Sequence, residues 1–188
     1  EVFGESGNRQ LDDIKMNNRI KSLALLVNLG IYGAAFPLSA AETATAPNPV
    51  AAQFVPSAAA AAEGAQVVIT MLPAGPHVLK VYSEQIIGAA PSTALLLDCS
   101  TIDVETARKV AGLAKSAGYA FADAPVSGGT AAADAGTLAF MVGCDEGDFA
   151  RVEAALEPMS RITIRAGDHG AGQAAKICNN MLLGISML

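Results

Sequence analysis

Gln66-Val-Val-Ile-Thr-Met-Leu72 runs directly into Pro73-Ala-Gly-Pro76. The seven residues are apolar almost throughout, the pattern of a parallel strand covered on both faces rather than one wetted on one side. The prolines and glycine then turn the chain at the strand's carboxyl end. Working outward, the same unit recurs: Ala94-Leu-Leu-Leu-Asp98 reads as a strand ending in Cys99-Ser-Thr101-Ile, and a helix follows from Val104 to Ala117. Gly118 closes that helix, and Tyr119-Ala-Phe-Ala122 supplies a further strand. Ser57 to Glu63 reads as a short alanine helix with Ser57 as its cap, and His77 to Glu84 as another. Strands alternating with helices at this spacing predict an α/β domain with a doubly wound, mainly parallel sheet.

In such sheets, ligands bind in the crevice outside the carboxyl ends of the strands. Leu72, Pro73 and Thr101 are therefore candidates for contact with a cofactor. Plainer readings stand beside them: Leu72-Pro73 as a simple strand-to-helix turn, and Thr101 as part of the cap that Asp103 gives the next helix.

Two glycine clusters follow. Asp123-Ala-Pro-Val-Ser127-Gly128-Gly129 comes after a predicted strand and offers a hydroxyl and bare backbone N–H groups to an anion. Between the clusters lie Thr137 to Val142 as a strand, Asp145 to Leu156 as an amphipathic helix and Arg161 to Ile164 as a final strand. Gly170-Ala-Gly-Gln-Ala-Ala-Lys176-Ile-Cys-Asn-Asn180 then feeds a helix on which Lys176 and Asn180 are one turn apart and share a face. By itself that pair is an ordinary solvated face. From about Gly172 onward the helix is apolar over most of its faces, which predicts a buried connector. Asp123 reads as a structural acid bracing the Ser127 loop, and Cys178 as a packing residue of the helix.

The strings DAPVSGGTAAADAGTLAFMVG (123–143) and GAGQAAKICNNMLLGISM (170–187) resemble the β-hydroxyacid dehydrogenases, and the likeness runs from about Ser57 to the last residue. The resemblance implies an incomplete Rossmann-like domain followed by the start of a long interdomain helix, with an all-helical C-terminal domain missing after Leu188. It implies NAD-dependent oxidation of 3-hydroxyisobutyrate to methylmalonate semialdehyde, with NADP left open. Lys176 would be the general acid and base, and Asn180 would orient the substrate. Ser127, Gly128 and Gly129 would hold its carboxylate, and Leu72, Pro73 and Thr101 would contact the cofactor. It further implies a homo-oligomer formed through the helical domain, and a cytoplasmic location. Two alternatives remain: a catalytically inactive fragment or decayed copy, and a related enzyme such as a tartronate semialdehyde reductase.

The residues agree with that chemistry in outline. Oxidising a β-hydroxyacid needs a base for the hydroxyl proton, a hydride acceptor and a grip on the carboxylate. A lysine serves as base if burial leaves some of its amine neutral, and glycine lets an anion approach the backbone where a Cβ would block it.

A net charge of −6 with no basic stripe excludes nucleic acid as the expected partner. Three cysteines, in no metal or redox spacing, fit a reducing compartment and predict no metal site. The first 46 residues read in either of two ways. One is a signal-like leader with an apolar run from Ser22 to Leu38; two glycines, an Asn and a Pro in that run argue against a stable membrane span. The other is a degraded first βα unit, with Leu25-Leu-Val27 as its strand and Asn28-Leu-Gly30-Ile-Tyr-Gly33 in place of a dinucleotide fingerprint. The expected division is an atypical leader over 1–46, a partial NAD-binding domain over 47–165 and the start of the interdomain helix over 166–188.

Overall fold

The computed structural model describes Leu23–Val27 and residues 55–187. Among these, seven strands form one sheet. They are β1 (Leu23–Val27), β2 (Val67–Met71), β3 (Leu95–Asp98), β4 (Ala120–Asp123), β5 (Val126–Ser127), β6 (Leu138–Gly143) and β7 (Ser160–Gly167). Six α-helices accompany them: α1 (Ala58–Ala62), α2 (Gly75–Val81), α3 (Val104–Ser116), α4 (Gly129–Asp134), α5 (Phe149–Leu156) and α6 (Ala171–Ser186).

Strands β1 to β4 pair in parallel and in order, so their carboxyl ends share one edge. β6 runs antiparallel to β4 and β5, and β7 pairs with β6 in parallel. The sheet is thus mainly parallel, as expected. Leu25–Val27 lies in β1, in register with β2; the stretch from Asn28 to Gly33 and the rest of the apolar run lie outside the described residues. Among the described residues, no helix is long and apolar enough to cross a membrane.

Period-two alternation splits the core between the two faces of the sheet. Val68, Leu96 and Phe121 point to one side, where α1, α2 and α3 cover them with Ala62, Val78 and Val110. Val67, Ile69, Leu95 and Leu97 point to the other, against Val152 and Leu156 of α5 and Phe140 of β6. Tyr82 meets Phe121 edge to face, with ring centroids 5.5 Å apart. Burying each large side chain contributes roughly 2 kcal/mol, so the doubly covered strands fix the register.

Several boundaries differ from expectation. α2 begins at Gly75 rather than His77, because Pro76 sits in its first turn, where a missing N–H costs nothing. The stretch from Asp145 starts as a 3₁₀ turn before α5. The alanines after Gly129 form α4, a helix that the sequence pattern does not announce. The largest correction concerns α6. Only Gly172 and Gln173 are buried, while Ile177, Met181, Leu182, Leu183 and Ile185 are exposed, Met181 at 61% and Leu182 at 67%. Apolar composition marked a face of this helix without saying what meets it.

Beneath the carboxyl edge, Asp98 is fully buried. Its Oδ1 accepts from the Thr70 hydroxyl at 2.8 Å and from the Ser100 hydroxyl at 2.6 Å. Its Oδ2 has no partner among the described residues. Burial raises its pKa above the ordinary carboxylate value, against the lowering effect of the Ser100 and Thr70 bonds. A raised folded pKa means that the folded state holds the proton more tightly. The associated stability is complete below the unfolded value and is lost as pH rises through the folded one. Asp98→Asn keeps an acceptor for both hydroxyls and sets an uncharged NH2 where Oδ2 lies. It is therefore expected to fold within about 1 kcal/mol of the parent, and to gain on it as pH rises from acid to neutral. Urea denaturation across that range tests this; a stability difference that does not change with pH would refute a raised Asp98 pKa.

Candidate functional site

The carboxyl edge is tied together by side chains rather than left as separate loops. Leu72 N–H donates to the Ser100 hydroxyl at 2.8 Å, linking the end of β2 to the end of β3. Gln173, fully buried, spans the next step: its Oε1 accepts from Ile102 N–H at 3.1 Å, and its Nε2 donates to the Ser100 carbonyl at 2.7 Å. One amide therefore holds the backbone on both sides of Thr101. Thr101 and Pro73 are exposed at this edge, and Leu72 is buried beneath it. Asp103 caps α3 by accepting from Thr106 N–H at 2.7 Å; the cap leaves Thr101 outside it.

α6 is rooted at the same edge. Asp123, at the end of β4, accepts from Gly170 N–H at 2.7 Å and from Gln173 N–H at 3.0 Å, so a carboxylate faces the positive end of the helix. Burial raises its pKa, and those two bonds oppose the rise. Asp123 is a structural acid, but the element it braces is the start of α6 and not the Ser127 loop, because its oxygens are taken up by the helix N–H groups. Gly172 permits this closeness: a Cβ there would lie 2.7 Å from the Asp123 carbonyl oxygen and 2.8 Å from its Oδ2.

Along α6, Lys176 is half-buried and burial lowers its pKa. One turn on, Asn179 Nδ2 donates to the Ser127 hydroxyl at 3.4 Å. Ser127 ends β5, and Gly128, at φ 134, makes the bend into α4, a backbone angle open in practice to glycine. The helix carrying Lys176 and the bend at 127–129 therefore meet, through Asn179. Asn180 is exposed and accepts from Asn179 Nδ2 at 3.4 Å. Cys178 is exposed as well, so its expected packing role is not met.

His169 is engaged elsewhere, with Nε2 3.5 Å from Asp145 and its ring against Phe121. Among the described residues, no group of three or more His, Cys, Asp or Glu side chains could hold a metal. Sequence reading missed Gln173 and Asn179. A glutamine is ordinarily an outside residue, so nothing in the pattern marked the first; the second was visible only as one of two adjacent asparagines.

α6 thus carries a lysine whose amine is partly desolvated and, one turn on, an asparagine bonded to the Ser127 hydroxyl, while the parallel-strand edge presents an exposed threonine. Such an edge fits a dinucleotide. The sequence profile for the NAD binding domain of 6-phosphogluconate dehydrogenase matches residues 25–167. The 3-hydroxyisobutyrate dehydrogenase of Pseudomonas aeruginosa is 55% identical over 138 residues, 72% of this chain and 46% of that protein. An NAD-dependent L-serine dehydrogenase of the same species is 49% identical over 135 residues, 70% of this chain and 45% of that one. The solved Mycobacterium tuberculosis 3-hydroxyisobutyrate dehydrogenase with L-serine matches at a TM-score of 0.65 and 52% identity, over 68% of this chain and 43% of that one. The chain spans less than half the length of the curated relatives it matches.

Proposed function

Because this chain belongs to the NAD-binding domain family of the 3-hydroxyisobutyrate dehydrogenases, we propose that it serves NAD-dependent oxidation of 3-hydroxyisobutyrate to methylmalonate semialdehyde. The observation that carries this reading is the contact between Asn179 and Ser127, which draws the Lys176 helix to the glycine bend.

Leu72, Pro73 and Thr101 would hold the cofactor along the strand ends. Bound there, NAD supplies the hydride acceptor. The substrate's hydroxyl proton passes to the Lys176 amine, and burial favours the neutral form that can take it. Asn180 fixes the hydroxyl's orientation without adding charge. The Ser127 hydroxyl and the N–H groups of Gly128 and Gly129 receive the carboxylate. Three cysteines without disulfide partners support a reducing compartment such as the cytoplasm.

A second substrate has specific support. L-serine is also a β-hydroxyacid, with an amino group where 3-hydroxyisobutyrate has a methyl, and it appears with one solved relative and in the name of another. Titrating the chain with NAD⁺ and NADP⁺ by calorimetry, then following NADH formation with each acid, tests both readings. Expected are tighter binding of NAD⁺ than NADP⁺ and a higher kcat/KM for 3-hydroxyisobutyrate. A chain that binds neither cofactor would sink the proposal; a higher kcat/KM for L-serine would move it to the amino acid.

A further inference from the structure

We infer that Arg161 is a specificity-determining residue of this site, selecting substrates by the negative charge of their carboxylate; the inference rests on the proposed function above. A base that accepts a proton must be neutral when it does so, so Lys176 cannot also balance the substrate's charge. The groups assigned to the carboxylate, a hydroxyl and two backbone N–H groups, are neutral too. A carboxylate taken partly out of water against neutral donors alone is costly, and a guanidinium is the side chain best shaped to meet it.

Arg161 is placed for that role by an irregularity in the sheet. Leu138 pairs with Ser160 while Ala139 pairs with Ile162, so Arg161 is the extra residue of a bulge at the start of β7. Bulges re-aim side chains, and are frequent beside active sites for that reason. Arg161, which also borders a larger cavity beside Glu153 and Glu157, is one wall of a cavity of about 390 Å³ whose other walls are Ser127, Gly128, Ala132, Thr137 and Ala139. Every wall residue but Arg161 is neutral. Ser127 and Ala139 are direct cross-strand partners, so they share a sheet face, the one that Asn179 of α6 reaches. None of the ion pairs among the described residues uses Arg161. The substrate class is thereby narrowed to β-hydroxyacids with an ionised carboxylate, over their esters and amides.

The test is a calorimetric titration, in the presence of NAD⁺, of the full chain and its Arg161→Gln and Arg161→Lys variants with 3-hydroxyisobutyrate and with its methyl ester. Arg161→Gln is expected to weaken binding of the acid about tenfold, leave the ester unchanged and so erase the preference between them. Arg161→Lys should restore part of that preference, which a merely structural role would not produce. NAD⁺ affinity, unaltered in all three, reports that each is folded. If the parent prefers the acid and Arg161→Gln prefers it equally, Arg161 has no such role while the proposed function stands. If the parent binds NAD⁺ but not the acid, the functional reading fails and takes this one with it.

Discussion

Lys176→Ala is expected to lower kcat for β-hydroxyacid oxidation by about a thousandfold, the middle of the range for loss of a general base, with NAD⁺ affinity unchanged. The half-buried amine is the one basic side chain on α6. Burial lowers its pKa. In the parent, then, the rate of oxidation should rise with pH as the amine loses its proton, and that rise should begin below the range where an exposed lysine titrates. The variant should lack this limb. Lys176→Arg should not rescue it, because a guanidinium stays protonated at any workable pH. Steady-state rates across pH decide the matter: a variant within a few-fold of the parent at its optimum would show that the base lies elsewhere.

Asp123→Ala is expected to destabilise the fold by about 3 kcal/mol, because two buried N–H donors, those of Gly170 and Gln173, lose their acceptor together. Asp123→Asn should recover little of this. One of its two terminal atoms becomes an NH2 directed at an N–H, so one bond turns into a donor facing a donor. That separates Asp123 from Asp98, where one oxygen already lacks a partner among the described residues and the amide is expected to be tolerated. Chemical denaturation of the parent and these variants measures the contrast. Equal tolerance of Asn at both sites would refute the anchoring of α6 by the Asp123 carboxylate. The loss should extend beyond stability, since the same carboxylate fixes Gln173 and through it the backbone around Thr101.

β2 and β3 were legible because their residues are apolar at nearly every position, which leaves few choices other than a doubly covered parallel sheet. Gln66 to Leu72 and Ala94 to Asp98 were placed to within a residue or two for that reason. β5 was not expected, and β7 runs from Ser160 to Gly167 rather than from Arg161 to Ile164. The carboxyl-edge positions of Leu72, Pro73 and Thr101 follow from the strand ends. Local pattern could not reach features that depend on distant partners. Gln173 is inside because Ser100 and Ile102 offer complementary groups 73 and 71 residues away. Successive side chains on a helix differ by about 100°, so two neighbouring asparagines divide between Ser127 and solvent only once the helix has docked. The bulge at Arg161 depends on how β7 meets β6, and the sequence of β7 alone carries no sign of it.

Rooted through Asp123 and Gln173, and touching the 127–129 bend only through the long Asn179 bond, α6 makes a lever. At about 1.5 Å per residue, Met181 stands about 12 Å past Gln173 and Lys176 about 4.5 Å. Pivoting about Gln173 by roughly 5° would carry the far turn about 1 Å sideways but the amine only about 0.4 Å. Thrust applied at the exposed methionine and leucines is thus geared down before it arrives where a proton would change hands.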